Sequence, residues 1–466
     1  MSIGEMVNLT THRHRRKTMN NRDIERRRKK LEGIREQIES GQLNALRELL
    51  PNEIIQQICE DSAHYFRTRL LTPLATIFHM ISAGISRDGS FQSAWQLNGQ
   101  SGKSGSLAKA RQRLPLVVWQ RLDQWMIEEM DRENSSEYHW RGHRMVGVDG
   151  TCVSMNDEKE LVKHFGRCNT RHGYSRFPLA RVTLAFNLQT LVTLSHEAGS
   201  YTTGETELLR SLLPRLQRTD VLVGDRHFAG ANLYWEYQQA GIEFITRTHH
   251  QLQVERLKVV EIFNPKDKIV QMSFSPQYRR ENPALPEFIF VRLIQTTAKI
   301  KGREETFSIA TSLLNPHQYP AQEIQGWLKK RWKVETLIEE LKIWFSADVL
   351  RSKTITGIYK ELYARVIGLN LIHWLMLKSA KKHSKNPERI SLAATLRLAS
   401  AYSLKMSTAP GWNLPLLYET LLDHIAFSTV PYRPDRIEPR MVKRDIKHYP
   451  KLKISRTEWR NIAMAA

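Results

Sequence analysis

Between Leu31 and about Met130, apolar residues recur three or four positions apart, the spacing of one buried face of an α-helix. The residues that set this spacing are Leu43, Leu46, Leu49 and Leu50, then Ile54, Ile55 and Ile58, then Leu70, Leu71, Leu74, Ile77, Phe78 and Ile81, and finally Trp119, Leu122, Trp125 and Met126. Pro51 stops the first run, since proline breaks a helix interior. The pattern predicts an α-helical N-terminal domain over residues 31–135.

The period changes from helical to strand-like at Arg144. The predicted strands are Met145–Gly150, Leu179–Leu188, Leu191–His196 and Asp220–Val223, and the predicted helices are Leu208–Leu216 and the segment around Tyr234–Ala240. Gln189-Thr190 has the length of a two-residue hairpin turn. This order of strands and helices indicates an α/β core that begins near residue 140.

Residues 246–310 alternate β-branched and aromatic residues with polar ones, which predicts an antiparallel β-rich insertion. From Ala321 to about Leu377 the pattern is helical again. We therefore assign residues 140–245 and 311–380 to the α/β core. Residues 381–466 form a C-terminal helical region with a basic tail.

The charge balance points to a polyanionic partner. The 466 residues, a length typical of two to four domains, include 70 Lys+Arg and 48 Asp+Glu, a formal net charge of +22. Residues 1–30 form a basic arm with ten Lys/Arg against three acids, and residues 433–460 hold ten against four. Nucleic acid is the leading explanation, while plain solubility or attraction to a membrane surface remains open.

Several protein classes are excluded or disfavoured. The longest dense apolar stretch, Val366–Leu377, is shorter than the ~20 residues of a membrane span and contains Asn370 and His373. Cys59, Cys152 and Cys168 are too few and too scattered for a disulfide framework. The polar start of the chain lacks a signal-peptide apolar region. We expect a protein of the reducing cytosol with no membrane partner.

Two aspartates follow apolar strands. Asp149 comes at the end of Met145–Val148, and Asp225 comes after Asp220–Val223. Burying an ionised carboxylate is costly unless something neutralises it, and a divalent cation does so well. The plainer alternative is that each aspartate caps a turn or helix, and Asp225 could also pair with Arg226.

A third carboxylate lies on the helix predicted within Gly326–Phe345. At about 100° per residue, Arg331, Glu335 and Lys342 share one face within about 40°, beside an apolar stripe. An ordinary surface Arg–Glu pair is the alternative. Two aspartates and one glutamate around Mg²⁺ or Mn²⁺ suit phosphodiester chemistry, and flanking Arg and Lys suit phosphate contacts.

Two further motifs are weak. Gly99–Ser104 contains Gly-Lys-Ser, but Leu97 stands where a phosphate-binding loop needs glycine. A zinc site at His12/His14 or His249/His250 is disfavoured, because these pairs are poorly spaced on a helix face and have no nearby cysteine.

With these residues in place, the chain resembles the DDE transposases of bacterial insertion sequences, specifically the IS-four family with its Tn-five-like relatives. The family signature is Tyr-(2)-Arg-(3)-Glu-(6)-Lys. Arg331, Glu335 and Lys342 match its last three members, whereas Leu328 occupies the Tyr position. Other similar segments are Val148-Asp149-Gly150, Gly224-Asp225-Arg226-His227-Phe228, Thr311–Leu314 and Gly105–Pro115.

The resemblance implies an RNase H-like α/β catalytic core with a β-rich insertion, preceded by an α-helical DNA-binding domain. It implies cut-and-paste DNA transposition, with Asp149, Asp225 and Glu335 as catalytic residues and as ligands of Mg²⁺, for which Mn²⁺ would substitute. Arg331 and Lys342, with Arg226 beside Asp225, would bind DNA phosphates. A hairpin at the transposon end and a homodimer in the synaptic complex are further expectations, as is a bacterial cytoplasmic protein that joins the nucleoid through DNA.

Recognition of the terminal inverted repeats is expected in the helical domain and the basic arm. The candidate backbone contacts are Arg67, Arg69, Lys103, Lys109, Arg111 and Arg113. Two alternatives stay open at this point: an RNase H-like DNA nuclease or resolvase that cuts without joining, and an inactive DNA-binding derivative.

Overall fold

The alternating segments after Arg144 form a mixed β-sheet in the computed structural model. Residues 44–62, 64–65, 71–85, 90–97, 105–134, 137–170, 173–300, 303–431, 461–462 and 464–465 are described. The elements below belong to the compact unit that ends at Val430; a second unit begins at Pro431. The basic arm, Arg67, Arg69, Lys103 and nearly all of the basic tail lie outside the described residues.

The strands of the main sheet run in the order β5-β4-β1-β6-β7-β11-β10-β9-β8, and β12 pairs with β1 beside this path. Their bounds are β1 Met145–Met155, β4 Leu179–Asn187, β5 Thr193–Ser200, β6 Val221–Gly224, β7 Glu243–Arg247, β8 Lys258–Asn264, β9 Asp267–Met272, β10 Ile289–Ile300, β11 Arg303–Thr311 and β12 Val349–Leu350, and a small separate ribbon pairs β2 Asn169–Thr170 with β3 Gly173–Tyr174. The sheet is mixed: β1, β4 and β5 are antiparallel, while β6 and β7 continue parallel to β1.

Three antiparallel strands followed by two parallel ones, in the order β5-β4-β1-β6-β7, fit the expected RNase H-like core. The β-rich segment is no separate layer, because β11 pairs antiparallel with β7 and so extends the same sheet. Strands β8–β11 form a continuous antiparallel meander beyond it. The second aspartate and the glutamate are therefore separated in sequence by a long excursion that returns to the core.

Helices lie before, between and after the strands, in the segments where the apolar periodicity predicts them. They are α1 Asn52–Asp61, α2 Pro73–Ile85, α3 Phe91–Leu97, α4 Gly105–Arg113, α5 Leu116–Asn134, α6 Lys159–Phe165, α7 Glu205–Leu212, α8 Ala231–Gln239, α9 Pro276–Glu281, α10 Ala321–Lys330, α11 Trp332–Trp344, α12 Ile355–Lys382, α13 Leu392–Thr408 and α14 Leu414–Phe427. Helix α12 is buried along most of its length between α2, α5 and α14.

Some predicted boundaries are wrong. Strand β1 does not end at Gly150; its pairing with β4 continues to Ser154. The turn after β4 is longer than Gln189-Thr190, since five residues separate Asn187 from Thr193. The Asn187 side chain accepts the backbone N–H groups of Gln189 and Thr190 at 2.8 and 3.1 Å, which stabilises this longer turn.

The helical segment after Ala321 is also interrupted, contrary to the prediction. Helix α11 ends at Trp344, Ser346 adopts a left-handed φ of 52°, and β12 then pairs parallel with Ser154 and Met155 of β1. Short strands of this kind carry too little periodicity to be predicted. None of the described helices is both long enough and apolar enough to cross a membrane.

Candidate active site

Asp149 lies in the middle of β1, opposite Leu184 of β4. Its Oδ1 accepts the backbone N–H of Gly150 at 2.7 Å. The side chain is only 21% exposed. The strand thus presents a mostly buried carboxylate on an interior residue rather than at its end.

Asp225 follows β6, the parallel neighbour of β1. Its Oδ1 accepts the backbone N–H of His227 at 2.8 Å and caps the 3₁₀ turn Arg226–Phe228, while its Oδ2 lies 3.2 Å from His227 Nδ1. The capping alternative is therefore confirmed. Capping leaves the carboxylate 29% exposed, so it does not exclude a chemical role.

Helix α11 brings the third carboxylate to β1. Val334, Leu337, Ile338 and Leu341 form its buried stripe, and Glu335 lies beside that stripe with a side chain 44% exposed. The helix approaches the strand closely at Gly147, where a Cβ atom would lie 2.5 Å from Val334 Cγ2. Glycine at this position lets the first turn of α11 pack directly over β1, next to Asp149.

Arg331 connects the strand with the helix. It stands between α10 and α11 with helical backbone angles, and its side chain is 11% exposed. Its Nη1 donates to Asp149 Oδ2 at 3.2 Å, and its Nη2 donates to Glu335 Oε1 at 3.0 Å. The predicted Arg–Glu pair is present, but it belongs to a three-residue network and is more than a surface contact.

The charges around Asp149 oppose one another. Burial raises the pKa of Asp149; the Gly150 amide and the Arg331 guanidinium lower it, and the negative charges of Asp225 and Glu335 raise it again. Both other carboxylates therefore act electrostatically on Asp149. The structure brings all three predicted acids to one neighbourhood.

The oxygen atoms of these carboxylates are suitable ligands for a hard divalent cation, since such ions take oxygen ligands. Within the described part of the chain, however, no group of three His, Cys, Asp or Glu side chains is arranged to hold a metal ion. The Arg331 guanidinium instead bridges Asp149 and Glu335. The oxygen donors suit such an ion in type, while the arrangement observed is a pair of carboxylates bridged by a guanidinium.

The predicted phosphate-binding cations lie around these acids. Lys342 is half-buried two turns along α11, where its charge opposes the burial-raised pKa of Cys152 on β1. Arg226 is exposed directly after Asp225. Neither Lys342 nor Arg226 forms an ion pair with any described residue, so both are free to contact an anion.

Leu328 is half-buried on α10, and an apolar side chain at this position cannot donate a hydrogen bond. Trp332 is 60% exposed, and the Arg331 guanidinium lies 5.4 Å from its ring centroid. Trp332 could have been identified from the sequence by its position next to Arg331, on the polar side of helix α11.

The tentative DNA contacts near α4 differ in exposure. Lys109 and Arg113 are exposed, whereas Arg111 is half-buried with its guanidinium 3.6 Å from the ring centroid of Phe91. Burial lowers the pKa of Arg111. Lys109 and Arg113 are the better placed of these three to reach a partner.

Comparisons with known proteins agree with this geometry. The family described as transposase DDE domain matches residues 140–371. The chain is 23% identical over 319 residues to the transposase InsG for insertion sequence element IS4 of Escherichia coli, covering 67% of this chain and 70% of that protein. It is 25% identical over 208 residues to the putative transposase InsZ of Escherichia coli, covering 43% and 69%.

Among solved structures, a piggyBac transposase synaptic complex with hairpin DNA aligns with 86% of this chain and 88% of that chain, at 10% identity and a TM-score of 0.40. The family match spans β1, β6 and α11, the three elements that carry Asp149, Asp225 and Glu335. The chain therefore belongs to the DDE transposases of the IS-four family, which carry out metal-dependent DNA cleavage and strand transfer.

Proposed function

We propose that this transposase excises and inserts its own element through Asp149, Asp225 and Glu335. The observation that carries this proposal is the Arg331 bridge, which joins carboxylates from β1 and α11 at 3.2 and 3.0 Å, with Asp225 close enough to affect the pKa of Asp149. Carboxylates from a strand, a strand end and a helix thus lie close enough to act on one another, which supports the proposal.

The proposed ion is Mg²⁺, with Mn²⁺ as a substitute. Bound there, it would lower the pKa of an attacking water and stabilise the leaving oxygen of the phosphodiester. Asp149, Asp225 and Glu335 would hold it. The Gly150 N–H keeps Asp149 oriented, and the His227 N–H does the same for Asp225.

The cations would position the DNA. Once Arg331 releases the carboxylates, its guanidinium can form paired hydrogen bonds to a phosphate, a geometry that suits arginine. Lys342 and Arg226 would contact neighbouring phosphates as point charges. Lys342 lies on the same helix as Glu335, and Arg226 directly follows Asp225. A phosphate bound by either cation would therefore lie beside a proposed catalytic acid.

The inverted repeats would be bound by the helical region before residue 135, with Lys109 and Arg113 as exposed contacts. The domains assigned from the sequence, with boundaries near residues 30, 135, 245, 310 and 380, are part of this proposal. Two copies of the chain would pair the two ends of the element as a homodimer, and a hairpin could form at each end. DNA would hold the protein on the nucleoid.

The test uses purified protein, Mg²⁺ and linear DNA that carries the sequences flanking its gene, resolved on a denaturing gel. Asp149→Asn, Asp225→Asn and Glu335→Gln should each lower strand cleavage by at least ~100-fold, because each removes a proposed metal ligand. Binding of the same DNA should remain. Glu339→Gln, an exposed glutamate of the same helix, is the matched control and should cleave normally.

Full cleavage by any of the three site variants would refute that residue's role. With manganese in place of magnesium, the wild-type protein should form the same cleavage product. A variant that also loses DNA binding or folding gives no support, so binding and the melting temperature are measured on the same preparations.

A further inference from the structure

A recess lies next to the second aspartate, on the side of the β-rich segment. Its volume is about 360 Å³. We call it the basic recess, and its cationic and imidazole side chains are Arg226, Arg247, His249, His250, Lys266 and Lys268. They come from the 3₁₀ turn after β6, the end of β7 and the following loop, and the β8–β9 turn with β9. No spacing in the sequence predicts this grouping.

The recess is positively charged. Glu255 and Glu305 are its acidic side chains, and Glu305 is ion-paired with Arg247. Arg226, Lys266 and Lys268 have no acidic partner within ion-pair distance among the residues that the structure describes. Three cations directed at one concave surface are costly without a counter-ion, so the surface favours an anionic ligand.

The position of the recess relates it to the site of cleavage. Arg226 lines the recess and directly follows Asp225, so one end of the recess adjoins a proposed catalytic acid. The other end reaches Lys266 in the turn that joins β8 to β9. A strand bound along it would therefore run from Asp225 onto the β-rich segment.

Ring surfaces accompany the charges. The ring centroids of His249 and His250 lie 4.3 Å apart with the ring planes tilted by 34°, and both residues are exposed. The Arg247 guanidinium covers the ring of Phe307 at 4.4 Å from its centroid. Bases of single-stranded nucleic acid stack on aromatic and guanidinium planes of this kind.

The volume limits what can enter. It lies near the lower end of the ~300–1,000 Å³ range of pockets that enclose small ligands. A nucleotide fits this space, but a duplex does not. The combination of unpaired cations, stacking surfaces and small volume is typical of a site for one unpaired strand.

We propose that the basic recess binds an unpaired DNA strand beside the scissile phosphodiester, with its phosphates on Arg226, Lys266 and Lys268 and a base against His249 or His250. The inference rests on the proposed function of Asp225. It assigns to the β-rich segment the task of holding the separated strand while the duplex stays with the rest of the protein.

The test compares a single-stranded oligonucleotide with a duplex of the same sequence by fluorescence anisotropy at several salt concentrations. Lys266→Ala/Lys268→Ala should weaken single-strand binding by at least ~10-fold and leave duplex binding nearly unchanged. Because each phosphate contact on a single strand contributes about 0.7 to the slope of log K against log salt, the slope should fall by about 1.4.

The matched control is Lys258→Ala/Arg280→Ala, which removes the same charge from exposed positions of the β-rich segment outside the recess. This variant should bind the single strand like the wild type. Equal losses in the two variants, or equal losses on single strand and duplex, would overturn the proposal. Cleavage of duplex ends by the wild-type protein is measured separately, so failure here leaves the proposed function standing, whereas absent cleavage in Mg²⁺ counts against the proposed function itself.

Discussion

At the scale of single residues, this protein buries ionisable groups away from the proposed active site as well as in it. Asp123 on α5 and His196 on β5 are both buried, with 3.8 Å between Asp123 Oδ2 and His196 Nδ1. Burial raises the pKa of Asp123 to about 8, opposed by Arg215, and burial lowers the pKa of His196 to about 3. Both groups are therefore neutral in the folded protein at pH 7.

This neutral pair makes stability depend on pH. The unfolded chain releases the Asp123 proton near pH 4, whereas the folded protein retains it to about pH 8. The contribution of Asp123 to stability is therefore full below pH 4 and is lost as the pH rises through 8. We expect Asp123→Asn to raise the melting temperature relative to the wild type at pH 8, with a smaller difference at pH 5.

Differential scanning fluorimetry across this pH range measures the difference directly. Asp157→Asn, an exposed aspartate, is the control and should follow the wild-type curve. A difference between Asp123→Asn and wild type that does not change with pH would contradict a raised pKa.

At the scale of elements, the contact of α11 with β1 decides where Glu335 lies. Gly147→Val should destabilise the fold by ~1–3 kcal/mol, because its side chain would overlap Val334 and Leu188 in a packed interior. The same displacement moves Glu335 away from Asp149, so cleavage should fall even in the fraction that stays folded. Chemical denaturation and the cleavage gel measure the two effects.

Gly411→Val offers a comparison at a glycine where an added Cβ meets nothing within 4 Å. It should leave cleavage nearly unchanged. If Gly147→Val behaves in the same way, close packing of α11 on β1 is not what positions Glu335.

The long periodic elements could be predicted from the sequence, and the connections could not. The buried stripe of α11 follows from Val334, Leu337 and Leu341, because apolar periodicity reports which face is buried. The Arg331 bridge to Asp149 could not be predicted, since it depends on the distance at which helix and strand pack. The five-residue turn before Thr193 depends on Asn187 side-chain hydrogen bonds, which periodicity does not record.

At the scale of the whole molecule, a buried arginine of the β-rich segment also bonds to the chain that leads into helix α10. Arg292 on β10 is fully buried and donates to Asp267 on β9 at 2.8 and 2.6 Å. It also donates to the carbonyl oxygens of Leu313 and Tyr319, at 3.2 and 2.7 Å. Those carbonyls belong to the segment that leads into α10 and then to Arg331.

Removing one partner of this pair leaves an uncompensated buried charge. We expect Arg292→Met to destabilise the protein by ~3–5 kcal/mol and to reduce cleavage. Arg292→Met combined with Asp267→Asn should recover part of the stability, because no buried charge remains. Recovery of stability without recovery of cleavage would show that the hydrogen bonds to Leu313 and Tyr319 position α10, whereas no loss in the single variant would refute the anchoring role.

The β-rich segment also affects when the proposed active site is completed during protein synthesis. Synthesis proceeds from Asp149 to Glu335, and between them β11 pairs with β7, from which it is distant in sequence. Pairing between distant segments is slow compared with helix formation. A ribosome that has passed Asp225 but not Glu335 carries a nascent chain with two of the three acids, so the proposed active site is complete only after the core has been translated and folded.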